Sequence, residues 1–554
     1  MTQNAARGAH DDTMFVNGRI LTMDGAEPTY AEAVVARHGR IEFVGSRADA
    51  DSQFPAAVVR DLGGNALLPG FIDAHSHMSF GFDLLNQVDV SAPPVGTCTD
   101  IASVIAAVAT FRSERAVPEG GWLIGWGYDQ EALAEARHIT KLDLDETFPS
   151  HRVVLIHVSS HGAVLNSAAL QWAGIDASTP TPDGGVIARL DNTDEPAGLL
   201  METAYQRLIA DRLPHPDSDE RLALLDDVQQ MYAARGYTHV QDGFTAVADL
   251  DFFRLAADKG LLYLDVVALG SFLEADTWVG NPDYPTAAYD AGFRIAGMKI
   301  VYDGSPQGRT AYVTEPYRTG GPGGEAEWSG EPTFPFGHLV ATVGKATAAG
   351  VQVFAHVNGD AAIDDLIRAV RQNGITADDN RRVVPIHSQF QRADHLDDYV
   401  ELGISPSYFT NHAYFWGDVH TANIGPDKAA FISPMKAAVD RGLVVSNHTD
   451  FTVTPLDPFF TIWTAMSRTT RTGSVLGPDQ RVDAYTALQA LTTGGAYQMF
   501  EEDRKGRIAP GLLADFVVLS ADPIEVGVDG VRDIAVLETI KEGVTVFNAA
   551  TSSA

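Results

Sequence analysis

The chain has one cysteine, Cys98, in 554 residues. An intrachain disulfide framework is therefore excluded, and a reducing compartment is expected. The same scarcity means that any metal site must draw on His, Asp, Glu or Lys. Basic residues are few: 39 Lys and Arg stand against 73 Asp and Glu, a net charge of -34. That balance argues against nucleic acid and against adhesion to anionic membranes. No stretch is long and apolar enough to span a bilayer. The first residues, MTQNAARGAHDD, lack the basic start and apolar run of a signal peptide. A cytoplasmic protein is the expectation.

What is present points elsewhere. The apolar run ALLPGF leads into FIDAHSH, residues 71–77, and reads as the end of a buried strand. On a strand, positions i and i+2 share a face, so His75 and His77 would project side by side with spacing suited to one metal ion. Two unrelated polar histidines is the plain alternative, and the rest of the chain decides.

Residues 13–69 read as short strands broken by turns, as do GRIAPGLLADFVVLS and LETIKEGVTVFNA near the far end. Neither end has enough apolar surface to fold alone, so a small β-sandwich domain assembled from 1–69 plus 504–554 is expected. Residues 81–230 break any regular alternation and read as an insertion after the first strand, a lid or specificity element. From about residue 236, β-like runs alternate with helical ones: YTHVQDG, LYLDVVAL, AGMKIVYDG, VQVFAHVNGD, RVVPIHSQ, GISPSYF and LVVSNHTD. With FIDAHSH they make about eight. Such alternation is the signature of a parallel α/β fold, and eight repeats suggest a (β/α)8 TIM-type barrel over 70–80 plus 231–503.

Polar residues collect at the C-terminal ends of these strands: His75 and His77, Lys299, His356, His387 and Asp450. A barrel brings those ends to one rim, so six residues scattered along the chain would converge. Four imidazoles and a carboxylate suit zinc, manganese, iron or cobalt. Lys299 is no ligand as an ammonium. Burial would neutralise it, and the amine can then add carbon dioxide to form a carbamate that bridges two metals. A structural lysine paired with Asp303 is the other reading, and both stand.

Here the sequence resembles the amidohydrolase superfamily. PGFIDAHSH, the strand-four lysine, two later histidines, the strand-eight aspartate and the GRIAPGLLADFVVL return carry the likeness. Within it the chain looks most like amidohydrolase family 3, which includes N-substituted formamide deformylases. GWLIGWGYDQ, SSHGAVLNSAAL, MKIVYDGSPQGRTAYVTEPY, HVNGD and NHTDFTVTPLDPF support this. The region SYFTNHAYFWGDVH looks like the deformylase branch in particular.

The resemblance implies two divalent ions, zinc first among candidates. His75, His77 and Asp450 would hold one and His356 and His387 the other, bridged by carboxylated Lys299. It implies hydrolysis of an amide or formamide C–N bond in a small organic substrate by a metal-activated hydroxide, with Asp450 as general base and then acid. A mononuclear deaminase or cyclic-amide hydrolase on the same barrel is the rival. VNGD after the strand-five histidine, where such deaminases carry a Glu, weakens it. A non-catalytic scaffold should have lost ligands, and none is missing.

Substrate contacts are assigned to His161, Trp126, Asp129, Arg309, His412 and Trp416, each with a packing or salt-bridge alternative. The aromatic run Tyr408, Phe409, His412, Tyr414 and Trp416 suggests a partly apolar, aromatic substrate. His448 reads as a neighbour rather than a ligand, and Asp360 as a partner behind the ligands. A homodimer is expected by base rate alone.

Overall fold

The computed structural model describes residues 12–286 and 288–552. The N-terminal residues 1–11, on which the signal-peptide expectation rests, lie outside them. Among the described residues no helix is long and apolar enough to cross a membrane.

The largest element is an eight-stranded parallel sheet with its strands in chain order. They are Phe71–Ile72, Tyr237–Thr245, Asp265–Ser271, Phe293–Val301, Gln352–Val357, Val384–His387, Ser407–Tyr408 and Ser446–Asn447. All eight expected strands are found, most of them shorter than their apolar runs, while Tyr237–Thr245 runs two residues beyond YTHVQDG. The sheet curls until the segments beyond its first and last strands touch: Asp450 N donates to His75 O at 3.1 Å and His77 N to Phe451 O at 2.6 Å.

Helices cover the strands because their apolar residues recur at helical spacing. Asp360–Gln372 buries Ile363, Leu366, Ile367 and Val370, one stripe at i, i+3, i+4 and i+7. Much of the core lies between such stripes and the sheet.

A second sheet draws on both termini. The C-terminal strand Phe516–Leu519 pairs antiparallel with Ala66–Pro69, Phe516 opposite Pro69. Gly70 N then donates to Asp515 O, which anchors the chain just before the first strand of the parallel sheet. A third sheet, of six strands between Val88 and Glu202, occupies the expected insertion. Its Gly/Pro-rich part forms the antiparallel pair Gly185–Arg189 with Pro196–Glu202.

One local expectation is corrected. The first strand ends at Ile72, so His75 and His77 do not share a strand face. They sit in the loop beyond it, and His77 precedes the helix Met78–Leu84. Their rings still lie 5.1 Å apart, because the loop is tied to the far end of the sheet.

Candidate metal centre

The six expected residues arrive at one place from both ends and the middle of the sheet. Asp450 Oδ1 is 3.5 Å from His75 Nε2 and 3.3 Å from His77 Nε2, and its Oδ2 is 3.8 Å from His387 Nε2. His387 Nε2 faces His356 Nδ1 at 3.1 Å. Lys299 Nζ lies 2.8 Å from His75 Nε2. Donor atoms of His75, His387 and Asp450 all fall within 4.8 Å of one another.

Two of these residues hold backbone that side chains seldom adopt. His387 has φ 74° and Asp450 φ 51°. Such conformations cost on the order of 1–3 kcal/mol each and persist only where surroundings impose them. Gly243 makes room for another: a Cβ there would meet His75 Cε1 at 2.2 Å.

Hydrogen bonds behind the rings set which nitrogen faces inward. His75 Nδ1 meets Gln241 Oε1 at 2.9 Å, an acceptor, so Nδ1 carries the proton and Nε2 is left as a lone pair. His387 Nδ1 meets His448 Nε2 at 3.0 Å, and His448 Nδ1 meets Ser407 Oγ at 2.8 Å. With the proton on His387 Nδ1, this chain leaves His387 Nε2 free as well.

Burial pushes the His75, His356 and His387 pKa values well below the ordinary imidazole value, toward the neutral form that offers a lone pair. Burial works the other way on Asp450, but His387, His77 and His75 around it hold its carboxyl well below the usual range. It is ionised, and its buried Oδ1 has no partner beyond the long His77 and His75 contacts at 3.3 and 3.5 Å. Inward lone pairs and an orphaned carboxylate oxygen leave this pocket short of a cation. The donor set fits a divalent ion.

Burial lowers Lys299 to about 7, opposed only by the Asp450 carboxylate. The alternative pairing with Asp303 is not formed. Asp303 instead accepts from Tyr312 N, Asn358 N and Gly359 N. Asp360, expected behind the ligands, accepts from Thr314 N at 2.8 Å.

The third sheet delivers the remaining polar groups. His161 lies with its ring 5.1 Å from that of His356, and its Nδ1 meets Glu202 Oε2 at 2.8 Å. Burial opposes protonation of His161, but Glu202, Asp450 and Asp303 together raise its pKa. Glu202 also accepts from Thr310 Oγ1 at 2.6 Å. Sequence reasoning missed Glu202, Gln241 and the bond from His448. Glu202 and Gln241 lie in unremarkable apolar or strand-like runs with no motif of their own, while His448, inside NHTDFTVTPLDPF, reads as a neighbour without its bond to His387.

Trp126, Asp129 and Trp416 line one cavity, and Trp416 Nε1 donates to Asp129 Oδ2 at 2.9 Å. That cavity holds none of the six central residues. It lies beside them, since Phe451 and Thr452 on its wall follow Asp450 directly. His412 sits between Phe409, edge-on at 4.6 Å, and Trp416, tilted at 4.5 Å between ring centres, and its Nδ1 meets His420 Nε2 at 3.0 Å. Arg309 is not brought to the six: its Nη1 donates to Thr319 O at 3.1 Å.

The fold agrees with what known proteins show. The pattern that defines the Amidohydrolase family matches residues 58–547, and the chain belongs to that family. It is a hydrolase acting on carbon–nitrogen bonds other than peptide bonds. The N-substituted formamide deformylase of Arthrobacter pascens is 29% identical over 96% of this chain and 98% of its own length. The putative amidohydrolase YtcJ of Bacillus subtilis is 28% identical, over 93% of this chain and 96% of its own. Among solved structures, an uncharacterized metal-dependent hydrolase from Pyrococcus horikoshii shares the fold. Its TM-score is 0.73 at 21% identity, covering 93% of this chain and 98% of that one.

Proposed function

We propose that the protein hydrolyses the amide or formamide bond of a small organic substrate, with His75, His77, His356, His387, Lys299 and Asp450 holding two divalent ions. The convergence of His75, His387 and Asp450 donor atoms within 4.8 Å carries this reading. The likeness to a formamide deformylase supports the bond type. Zinc is the leading metal, since three or more imidazoles and a carboxylate suit it. In this reading the parallel sheet is a (β/α)8 barrel over 70–80 and 231–503, carrying a terminal β-sandwich and the 81–230 lid, in a cytoplasmic protein.

Bound ions supply Lewis-acid polarisation of a carbonyl and lower the pKa of water from about 15.7 to roughly 7. The chain's own groups do the rest. Neutral imidazoles offer lone pairs, fixed by Gln241 behind His75 and by His448 behind His387. Lys299, with about half of its amine unprotonated at pH 7, could add carbon dioxide at Nζ with loss of a proton, and the anionic carbamate would then be a further ligand. Ionised Asp450 takes the proton of the attacking water as its oxygen bonds to the carbonyl carbon. It then returns that proton to the nitrogen as the C–N bond breaks. His161, held by Glu202, stands over His356 on the side the insertion covers and is placed to donate to the carbonyl oxygen as negative charge develops there.

Metal content tests this directly. Protein purified without chelator and with bicarbonate present should contain about two ions per chain by elemental analysis and should release formate from an N-substituted formamide. One ion with deaminase activity would favour the mononuclear rival. No ion after metal is supplied would sink the mechanism.

A further inference from the structure

The cavity beside the six central residues has a volume of about 460 Å3. That lies in the usual range for small-molecule sites and far exceeds a formamide group, so the body of a substrate has to fill it. Trp126, Val158, Phe415, Trp416, Phe451 and Val453 make most of the wall apolar.

Two arginines interrupt that wall, Arg235 and Arg471. Arg471 is partly buried, its guanidinium carbon 5.3 Å from the centre of the Phe415 ring. Its Nε is buried with no hydrogen-bond partner. Asp129 is near enough for Arg471 to lower its pKa, against the rise that burial imposes. Yet both Asp129 oxygens are engaged elsewhere, Oδ1 by Glu131 N at 3.0 Å and Oδ2 by Trp416 Nε1 at 2.9 Å. Asp89, the other acid on the wall, accepts from Ser91 N at 2.8 Å. Arg235 is exposed at the mouth.

A guanidinium packed on an aromatic ring with a buried, unpartnered N–H costs free energy unless a ligand compensates it. In a chain of net charge -34, acidic partners for it would be easy to supply. The nearby Asp129 has its oxygens turned to Glu131 N and Trp416 Nε1 and forms no ion pair with Arg471. Its planar fork matches a carboxylate with two parallel hydrogen bonds.

We infer that this cavity takes substrates whose apolar or aromatic body carries a carboxylate, with Arg471 as the anchor and Arg235 at the mouth. An N-formyl or N-acyl derivative of an apolar amino acid has this chemistry. The inference deepens the proposed amide hydrolysis and rests on it.

The test compares N-formylphenylalanine with N-formylphenethylamine, the same body without the carboxylate, on the metal-loaded protein. The acid should be preferred at least tenfold in kcat/KM. R471M should shrink that preference about 10- to 100-fold through KM, the range of a charge-assisted hydrogen bond, and R471K should restore part of it. Equal use of both compounds, or a preference that survives in R471M, would overturn the inference while leaving amide hydrolysis intact. If neither compound is cleaved, calorimetry decides with hydrocinnamate and phenethylamine. Hydrocinnamate binding that weakens in R471M upholds the anionic site although the hydrolytic reading falls. No hydrocinnamate binding, or tighter phenethylamine binding drawn to Asp129, overturns it. Unchanged thermal unfolding of R471M and of a second variant, R235M, shows that the fold is not the cause.

Discussion

Two buried lysines sit toward opposite ends of the same parallel strands, and their surroundings give them opposite characters. Lys299, 2% exposed, lies among imidazoles, and burial brings it down to about 7 with only Asp450 opposing. Lys505, 3% exposed, lies among carboxylates. It pairs with Asp265 and meets Glu501 Oε2 at 3.0 Å and His239 Nδ1 at 3.4 Å. Burial would lower it too, but Asp265, Glu501 and Asp515 raise it well above the ordinary lysine value. His239, Asp265 and Glu501 also gather three donor atoms within 4.8 Å, as His75, His387 and Asp450 do. The residue types are those of a metal site in both places. At the second, a cation built into the chain already stands among the donors, with Lys541 supporting it through Asp265 at 3.3 Å and Asp515 at 3.2 Å. Donor geometry alone therefore does not define a metal site. Charge left unbalanced does.

The contrast is sharpest if each cluster is damaged in turn. Asp450→Asn should cut kcat about 10²–10⁴-fold, the usual worth of acid–base help, while the unfolding transition stays within about 1 kcal/mol of wild type. Steady-state kinetics beside urea denaturation would check both halves. A variant that merely unfolds would erase the distinction. Lys505→Met should do the reverse. Asp265 would keep Lys541 and Glu501 would keep Arg294 as cationic partners, but both would lose Lys505, destabilising the fold by about 3–5 kcal/mol in urea titrations while the metal content per folded chain is kept.

Acid should separate the clusters as well. Burial raises the Glu501 carboxyl, but Lys505, His239 and Arg294 hold it down at about 2, below its unfolded value. A depressed carboxylate contributes stability that is present above the unfolded pKa of about 4.3 and lost as pH falls through the folded one. Its share, on the order of 3 kcal/mol, should disappear between about pH 4.3 and 2. Glu501→Gln should flatten that part of a stability-versus-pH curve, and a slope unchanged by the substitution would assign the acid transition to other groups.

The smallest effect is expected behind the rings. Gln241→Leu removes the acceptor that keeps the His75 proton on Nδ1. Metal affinity, measured by competition with a chelator, should fall about 10–100-fold, as for other changes behind a ligand. Gln229→Leu, whose side chain binds Tyr263 N and Leu261 O outside the cluster, should not move it.

Much of this was legible beforehand where the signal is local. Alternating apolar runs located all eight parallel strands, and the positions of His356 and His387 within them follow from strand polarity. His75 and His77 were found for a reason that does not hold: they lie beyond the strand, and a loop brings their rings together. Glu202 and Gln241 were invisible because nothing in their own neighbourhoods marks them. They matter through partners 41 and 166 residues away. Arg309 looked functional in its motif, but its guanidinium turned to Thr319 O.

The sequence by itself settled the family, the sheet's strand order and the six polar residues at its centre, because hydrophobic period and ligand type are properties of short stretches. Only the tertiary structure decided which nitrogen of His75 and of His387 faces inward. It alone showed which buried lysine is pulled toward neutrality and which is held charged, and that Arg471 on the cavity wall forms no ion pair with Asp129. Those depend on dielectric and on charges brought close from distant parts of the chain, and burial strengthens such interactions far beyond their worth in water.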